Sequence, residues 1–296
     1  MKITLIFTCF ILHACTLVLF EPEDNLKIEV LDVGQGDAIL LSYKDWQVMI
    51  DVGPPHQGVW DSLQARGIQQ LDWILITHHH MDHYGALLEL FPPLNQVVVL
   101  GNGDTLQPQT MNSSILVDKI YHSDDQYQPL PWRQLLRGLE SNEIKLNLVH
   151  AGSQIDFPQS VRGRIFWPQK ESQESANAAS IVLELIFKGS KLLFMGDLEE
   201  EGEQSLLESG VLSSVQFLKV AHHGSKSSSS IPFLIKTEPL LKSISRGCDN
   251  VYNHPHSSTM AHLNHFSTYG SLEIQDTCLD GTLQYQVNEN GVFYID

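Results

Sequence analysis

The stretch Thr77-His78-His79-His80-Met81-Asp82-His83-Tyr84-Gly85 constrains the chain more than any other. Trp73-Ile74-Leu75-Ile76 before it is a short apolar, β-branched run of the kind that fills a buried strand. Ala86 to Phe91 after it reads as helix, stopped by Pro92-Pro93. The histidines and Asp82 therefore sit on the turn between a strand end and a helix start. In extended chain His78 and His80 project to the same side, and the bend into the helix returns Asp82 and His83 towards them. Imidazole and carboxylate donors converging in this way suit zinc better than calcium or magnesium. A histidine-rich surface loop is the competing reading, but such a run has no reason to lie between a core strand and an amphipathic helix.

His-x-His-x-Asp-His after an apolar strand resembles the signature of the metallo-β-lactamase fold, a large group of metal-dependent hydrolases. The resemblance implies an α/β protein built as a four-layer αββα sandwich. The rest of the chain is compatible with that. Its 296 residues can bury a substantial core, and 42% hydrophobic with 18% charged residues is ordinary for a globular protein. The formal net charge of −17 argues against nonspecific nucleic-acid binding by the whole surface. Cys9, Cys15, Cys248 and Cys278 show no Cys-x-x-Cys pairing, so no thiolate zinc site is indicated. For Cys248 and Cys278 two separately buried thiols are expected, with a disulfide as the alternative.

Lys2 is followed by an uncharged, mostly apolar run from Ile3 to Phe20 and then by Glu21-Pro22-Glu23-Asp24. That is about the length a helix needs to span a bilayer, roughly 18 residues. The expected organisation is a membrane anchor or signal segment over 1–25 and a globular domain over 26–296. Lys2 inside and acids after the run would leave that domain outside the cytoplasm, tethered by one pass or released or lipid-anchored after cleavage.

Globular sequence opens with a strand around Ile28 and Val30 that runs into Gly34-Gln35-Gly36-Asp37. Ala38 to Ser42 and Trp46 to Ile50 form a hairpin closed by Asp51-Val52-Gly53. Asp37 and Asp51 either support the metal loop from beneath or are solvated loop acids. Val97 to Leu100 is a further strand, and Trp132 to Leu139 a helix; His122 and His150 read as surface histidines. Strands resume at Arg164, with a second hairpin over Ile181 to Met195 that ends in Gly196-Asp197. Glu199 to Leu207 is helical, Phe217 to Ala221 is a strand ending in His222-His223-Gly224-Ser225, and two last hairpin turns fall at Asp280-Gly281 and Asn290-Gly291. The chain thus divides into two similar halves.

Further stretches narrow the resemblance. Leu31-Asp32-Val33-Gly34-Gln35-Gly36-Asp37-Ala38, Asn177 to Leu183, Met195-Gly196-Asp197, Leu218 to Ser225 and Asn250 to His256 look like the metallo-β-lactamase domain of ComEC-type DNA-uptake competence proteins, in the same order. With at most one membrane helix expected, this stretch of sequence is not expected to supply the multi-helix channel of those proteins. What the resemblance implies is a metal set of His78, His80, Asp82, His83 and Asp197, the last bridging two cations, with His222 or His223 as the final histidine. The expected cofactor is zinc, two ions per domain, with manganese as the alternative. A further histidine that many members place between the first motif and Asp197 is missing, and Asn177 to Ser180 occupies that neighbourhood. His254 and His256 could compensate or be surface histidines.

The activity implied is hydrolysis by water activated on a cation, with Asp82 both binding metal and orienting that water. His254, Ser225 and Lys226 are candidate phosphate contacts. Single-stranded DNA or another phosphodiester is the expected substrate, with a separate membrane channel protein as a partner. The alternatives are a non-catalytic DNA-binding or assembly accessory of an uptake system, and a small-molecule or cell-wall phosphoesterase. No Walker loop, Gly-x-Gly-x-x-Gly fingerprint or Ser-His-Asp set competes.

Overall fold

The computed structural model describes residues 24–90, 98–99, 105–106, 115–123, 128–170, 175–265 and 274–295. Trp73–Ile76 is buried at every position: Trp73 and Leu75 join one apolar cluster, Ile74 and Ile76 another. A strand with both faces covered cannot alternate apolar with polar, which is why this run is continuous. Trp46–Val52 divides in the same way, with Val48 and Ile50 in the first cluster and Met49 and Val52 in the second.

These strands lie near the middle of an eight-stranded sheet. Its order is Lys145–Leu148, Lys119–His122, Trp73–Ile76, Trp46–Val52, Ala38–Tyr43, Leu26–Val30, Leu283–Asn288 and Gly291–Ile295. A six-stranded sheet packs on it in the order Val161–Trp167, Val182–Phe187, Ser190–Phe194, Phe217–Lys219, Leu241–Ile244 and Ile274–Asp276. Between the sheets sits a core that includes Ile28, Val30, Ile50, Leu75, Leu183, Phe187, Phe194 and Phe217. The outer face of the larger sheet is covered by Val59–Ala65, Met81–Tyr84 and Leu130–Ser141, through Trp60, Leu63, Tyr84, Trp132 and Leu135. Glu200–Ser209, Ile231–Thr237 and Ser257–His265 cover the smaller sheet through Leu206, Phe233, Leu234 and Leu263. Each large side chain so buried contributes about 1.5–3 kcal/mol. Three apolar layers between four structural layers make the αββα sandwich.

The two halves are not separate along the chain. The final hairpin returns to the first sheet, where Leu283–Asn288 pairs antiparallel with Leu26–Val30 and Leu26 faces Val287. The thiol expectation also fails. Cys248 is exposed and Cys278 half-buried, and the two form a disulfide that ties the loop after Leu241–Ile244 to the end of Ile274–Asp276. These two strands are neighbours in parallel, so their exits bring the cysteines together.

The Ile3 to Phe20 segment lies outside the described residues. Among the described residues no helix is long and apolar enough to cross a membrane. This finding stands against the single-pass assignment.

The site follows from strand direction. Trp46–Val52, Trp73–Ile76 and Lys119–His122 run parallel, as do Ser190–Phe194, Phe217–Lys219 and Leu241–Ile244. Loops leaving the carboxyl ends of parallel strands share one edge of a sheet, the usual place for a site in such folds. Asp51, Thr77 to His83, Asp197, His222, His223 and Ser245 all stand at or just beyond such ends.

Candidate metal centre

His78 and His83 are fully buried, Asp82 is partly exposed and His80 lies on the open rim. His80 begins the single turn Met81–Tyr84, and that turn brings His83 back over His78, with ring centroids 4.2 Å apart. Gly36 permits the approach from the neighbouring loop: a Cβ there would lie 2.3 Å from the backbone oxygen of Asp82. The Asp37 amide donates to that same oxygen at 3.2 Å. His79 points the other way and stacks on Trp132 at 6.2 Å.

Hydrogen bonds decide which ring nitrogens face the cleft. Thr77 donates its Oγ1 hydrogen to Asp51 Oδ2 at 2.7 Å, so at 3.1 Å it accepts from His78 Nδ1. His78 Nε2 is then a bare acceptor, 2.9 Å from Nδ1 of His80. His83 Nδ1 lies 2.7 Å from Asp51 Oδ2, leaving Nε2 towards Asp197 Oδ2 at 3.3 Å. His223 donates from Nδ1 to the Ser245 carbonyl at 2.9 Å, leaving Nε2 at 3.4 Å from Asp82 Oδ2 and 3.7 Å from Asp197 Oδ1. Asp51 is thus a buried support for the site, not a solvated loop acid. It accepts in addition from the Thr77 amide at 2.7 Å.

Asp197 stands at the centre. Its Oδ2 is 3.7 Å from His78 Nε2 and 3.7 Å from His222 Nε2. The Ser180 hydroxyl accepts from its amide at 3.1 Å, so the stretch that lacks the further histidine shapes the Asp197 turn instead. His222 and His223 both adopt left-handed backbone, with φ 49° and 54°. Two consecutive non-glycine residues there carry strain, of order 1–3 kcal/mol each, and the kink sends both imidazoles to the cleft. His223 is buried; His222 is partly open, its Nδ1 3.5 Å from the Glu199 carboxylate.

The electrostatics describe a pocket that needs positive charge. Burial opposes protonation of His83, yet the carboxylates of Asp197, Asp51 and Asp82 outweigh it and hold the pKa well above the usual imidazole range. Burial likewise opposes charge on His223, but Asp197 and Asp37 push its pKa up to about 10. Burial would raise Asp197, but the charges of His83 and His223 hold it well below the usual carboxylate range. His78 is pushed well down, first by burial and then by the charge on His83. Among the buried side chains, His83 Nε2, His223 Nε2 and Asp197 Oδ1 accept or donate no hydrogen bond. Buried polar atoms are seldom left so, and two ring nitrogens and a carboxylate oxygen left without hydrogen bonds at one place are what a cation, displacing the ring protons, would satisfy. His78, His80 and Asp197 can close around an ion, as can Asp82, His83 and His223. The residues present therefore fit a metal.

Of the other expected contacts, His254 joins Gln35, Met81 and Tyr252 in lining the cleft, whose volume is about 320 Å³. Ser225 and Lys226 do not line it. The buried Ser225 hydroxyl lies 3.0 Å from that of Ser227, which donates to Glu199, and Lys226 is exposed beyond the turn. His256 turns away to Ser258 at 2.7 Å. His150 is half-buried beside its own loop, whereas His122 is buried against Trp132, contrary to its reading as a surface residue. Sequence reasoning missed Lys219, whose ammonium is 2.8 Å from Asp37 beneath the site. A lysine inside Phe217-Leu218-Lys219-Val220 was the available signal, because a charge in a buried strand requires a partner.

Residues 31–109 match the metallo-beta-lactamase superfamily. The chain is 26% identical to ComE operon protein 3 of Bacillus subtilis over 290 residues, which cover 91% of this chain and 34% of that protein. It is 28% identical to competence protein ComA of Neisseria gonorrhoeae over 276 residues, covering 92% and 34%. The chain therefore spans about a third of the length of these curated relatives. Among solved structures, the metallo-beta-lactamase fold protein YhfI from Bacillus subtilis aligns with a TM-score of 0.54 at 11% identity, covering 89% of this chain and 100% of that one. CmlA, a diiron beta-hydroxylase from Streptomyces venezuelae, aligns with a TM-score of 0.57 at 13% identity, covering 90% and 55%. At such identities these two establish the fold alone. Fold, motif order and relatives agree: the chain has the metallo-β-lactamase fold and resembles the matching part of the competence proteins.

Proposed function

We propose that the chain is a metal-dependent phosphodiesterase acting on single-stranded DNA or a chemically similar phosphodiester, in a role related to DNA uptake. The observation that carries the reading is the convergence of three orphaned, buried donor atoms, His83 Nε2, His223 Nε2 and Asp197 Oδ1, at one cleft. One cation would be held by His78, His80 and Asp197, with His222 beside them, and a second by Asp82, His83 and His223, with Asp197 next to both groups. Imidazole and carboxylate donors favour zinc, with manganese the alternative. When bound, two such cations lower the pKa of water and neutralise charge developing on phosphoryl oxygens.

The chain's own residues divide the remaining work. Asp51 and the Ser245 carbonyl fix the tautomers of His83 and His223. Asp82, partly exposed at the cleft, can orient the attacking water. His254 is pushed down to about 4, mainly by burial and then by His223 and His222, so at neutral pH it meets a phosphate as a neutral imidazole. The relatives' competence names support the nucleic-acid substrate, and a channel protein remains a partner proposed on the same ground.

The test is hydrolysis of simple phosphodiesters and of single-stranded oligonucleotides by metal-loaded protein. Activity lost on chelation, restored by zinc or manganese and absent from Asp82→Ala supports the reading. Oligonucleotide binding without turnover of any phosphodiester would favour the non-catalytic accessory instead.

A further inference from the structure

The cleft is lined by Gln35, His80, Met81, Asp82, Asp197, His222, His223, Tyr252 and His254. Among the described residues that line it there is no lysine or arginine, and the chain carries a formal net charge of −17. A polyanion therefore gains little from bulk attraction here and meets repulsion from most of the surface. Among the described residues, then, what can hold a nucleic acid beside the cleft is something other than a basic groove.

The loop Asn250 to His256 offers it. Tyr252 is 62% exposed although it lines the cleft, and its neighbour Val251 is 85% exposed. The Tyr252 ring is stacked on His254, with centroids 5.6 Å apart and planes 27° from parallel. His254 in turn is stacked on the buried His223, at 6.3 Å and 30°. One ladder of rings thus runs from a proposed metal ligand to an aromatic face open to solvent.

That face is held, not floppy. Asn250 donates to the carbonyls of Gly247 and His254 at 2.7 Å each and accepts from the His254 amide at 2.9 Å, which closes the loop on itself. Pro255 packs against Gly224, where a Cβ would lie 2.6 Å away. The Cys248–Cys278 disulfide ties the loop's base to the neighbouring strand exit. A pre-ordered aromatic ring costs little entropy when it binds, which is the condition under which stacking adds to affinity.

We infer that Tyr252 is a stacking platform for an unpaired nucleobase next to the phosphodiester held at the metal centre. The inference rests on the phosphodiesterase reading and narrows it: the substrate is single-stranded, because a base inside a duplex has no free face to offer. It also implies tolerance of base identity, since every base has a π-face and Tyr252 reads no edge.

The test compares affinities of the zinc-loaded full chain for a short oligothymidylate and for an abasic oligomer of equal length. Both carry phosphorothioate linkages to slow cleavage, and binding is read by fluorescence anisotropy at one salt concentration. The wild-type chain should prefer the base-bearing oligomer by about tenfold, within the range of stacking one base on an aromatic ring. Tyr252→Phe should keep the preference and Tyr252→Leu should abolish it. An equal preference in wild type and Tyr252→Leu, or binding of neither oligomer, overturns the proposal. Hydrolysis of methyl p-nitrophenyl phosphate is followed in parallel. Hydrolysis with no base preference sinks the stacking role alone; a Tyr252-dependent preference with no hydrolysis sinks the phosphodiesterase reading alone.

Discussion

Nδ1 of His83 sits 2.7 Å from Oδ2 of Asp51, and both groups are buried. Asp51 itself occupies left-handed backbone at φ 55° and accepts two further hydrogen bonds from Thr77. One carboxylate thus sets the orientation of His83 directly and that of His78 through the Thr77 hydroxyl.

Asp51→Asn should therefore weaken metal binding although Asp51 is not itself expected to bind the ion. Losing such a partner typically costs about 10–100-fold in affinity. Competitive titration with a coloured chelator measures it; an affinity equal to wild type would show that the Asp51 contact does not tune the ligands.

Lys219 and Asp37 form an ion pair with both side chains about 1–2% exposed. Lys219→Met removes the nearest cation from a buried carboxylate, leaving only the His223 ring beside it, and should lower unfolding free energy by about 3 kcal/mol. Adding Asp37→Asn removes the stranded charge and should recover part of that loss. Urea melts of the single and double variants decide it, and additive losses would contradict the pairing.

How far the sequence revealed this molecule depends on which forces were local. The strands that lead to the ligands were visible as short apolar runs, although those over Leu192 to Met195 and Phe217 to Ala221 stop sooner than expected, at Phe194 and Lys219. The return of Leu283–Asn288 to Leu26–Val30 was not visible, since strand pairing at such sequence separation leaves no local mark. Nor was the choice between His222 and His223: two adjacent left-handed residues send both imidazoles to the cleft, and only the Ser245 carbonyl fixes which nitrogen of His223 is free. Asp51 and Asp37 could not be told apart from loop acids because their partners, Thr77, His83 and Lys219, come from other parts of the chain.

Glu203 gives a pH-dependence apart from the metal centre. Its buried carboxylate accepts from the amides of Ser229 and Ser230 at 2.6 and 2.9 Å, at the start of Ile231–Thr237. Burial raises its pKa above the usual glutamate value, and the hydrogen bonds from the Ser230 side chain and from the two amides offset only part of that. The folded state then holds a proton that the unfolded chain has released. Stability from this group is present below about pH 4.3 and is lost as pH rises through the folded pKa. The stability of the wild type relative to Glu203→Gln should accordingly fall between about pH 4 and neutrality; a flat or rising difference in urea melts would refute it.

The most direct measurement of the central claim is the metal content of the purified chain after exposure to zinc and removal of loosely held ions, set beside Asp197→Ala. With Asp197 serving both positions, close to two ions per wild-type chain are expected and a marked loss from both positions in the variant. A wild-type chain that retains no more zinc than Asp197→Ala would contradict the account.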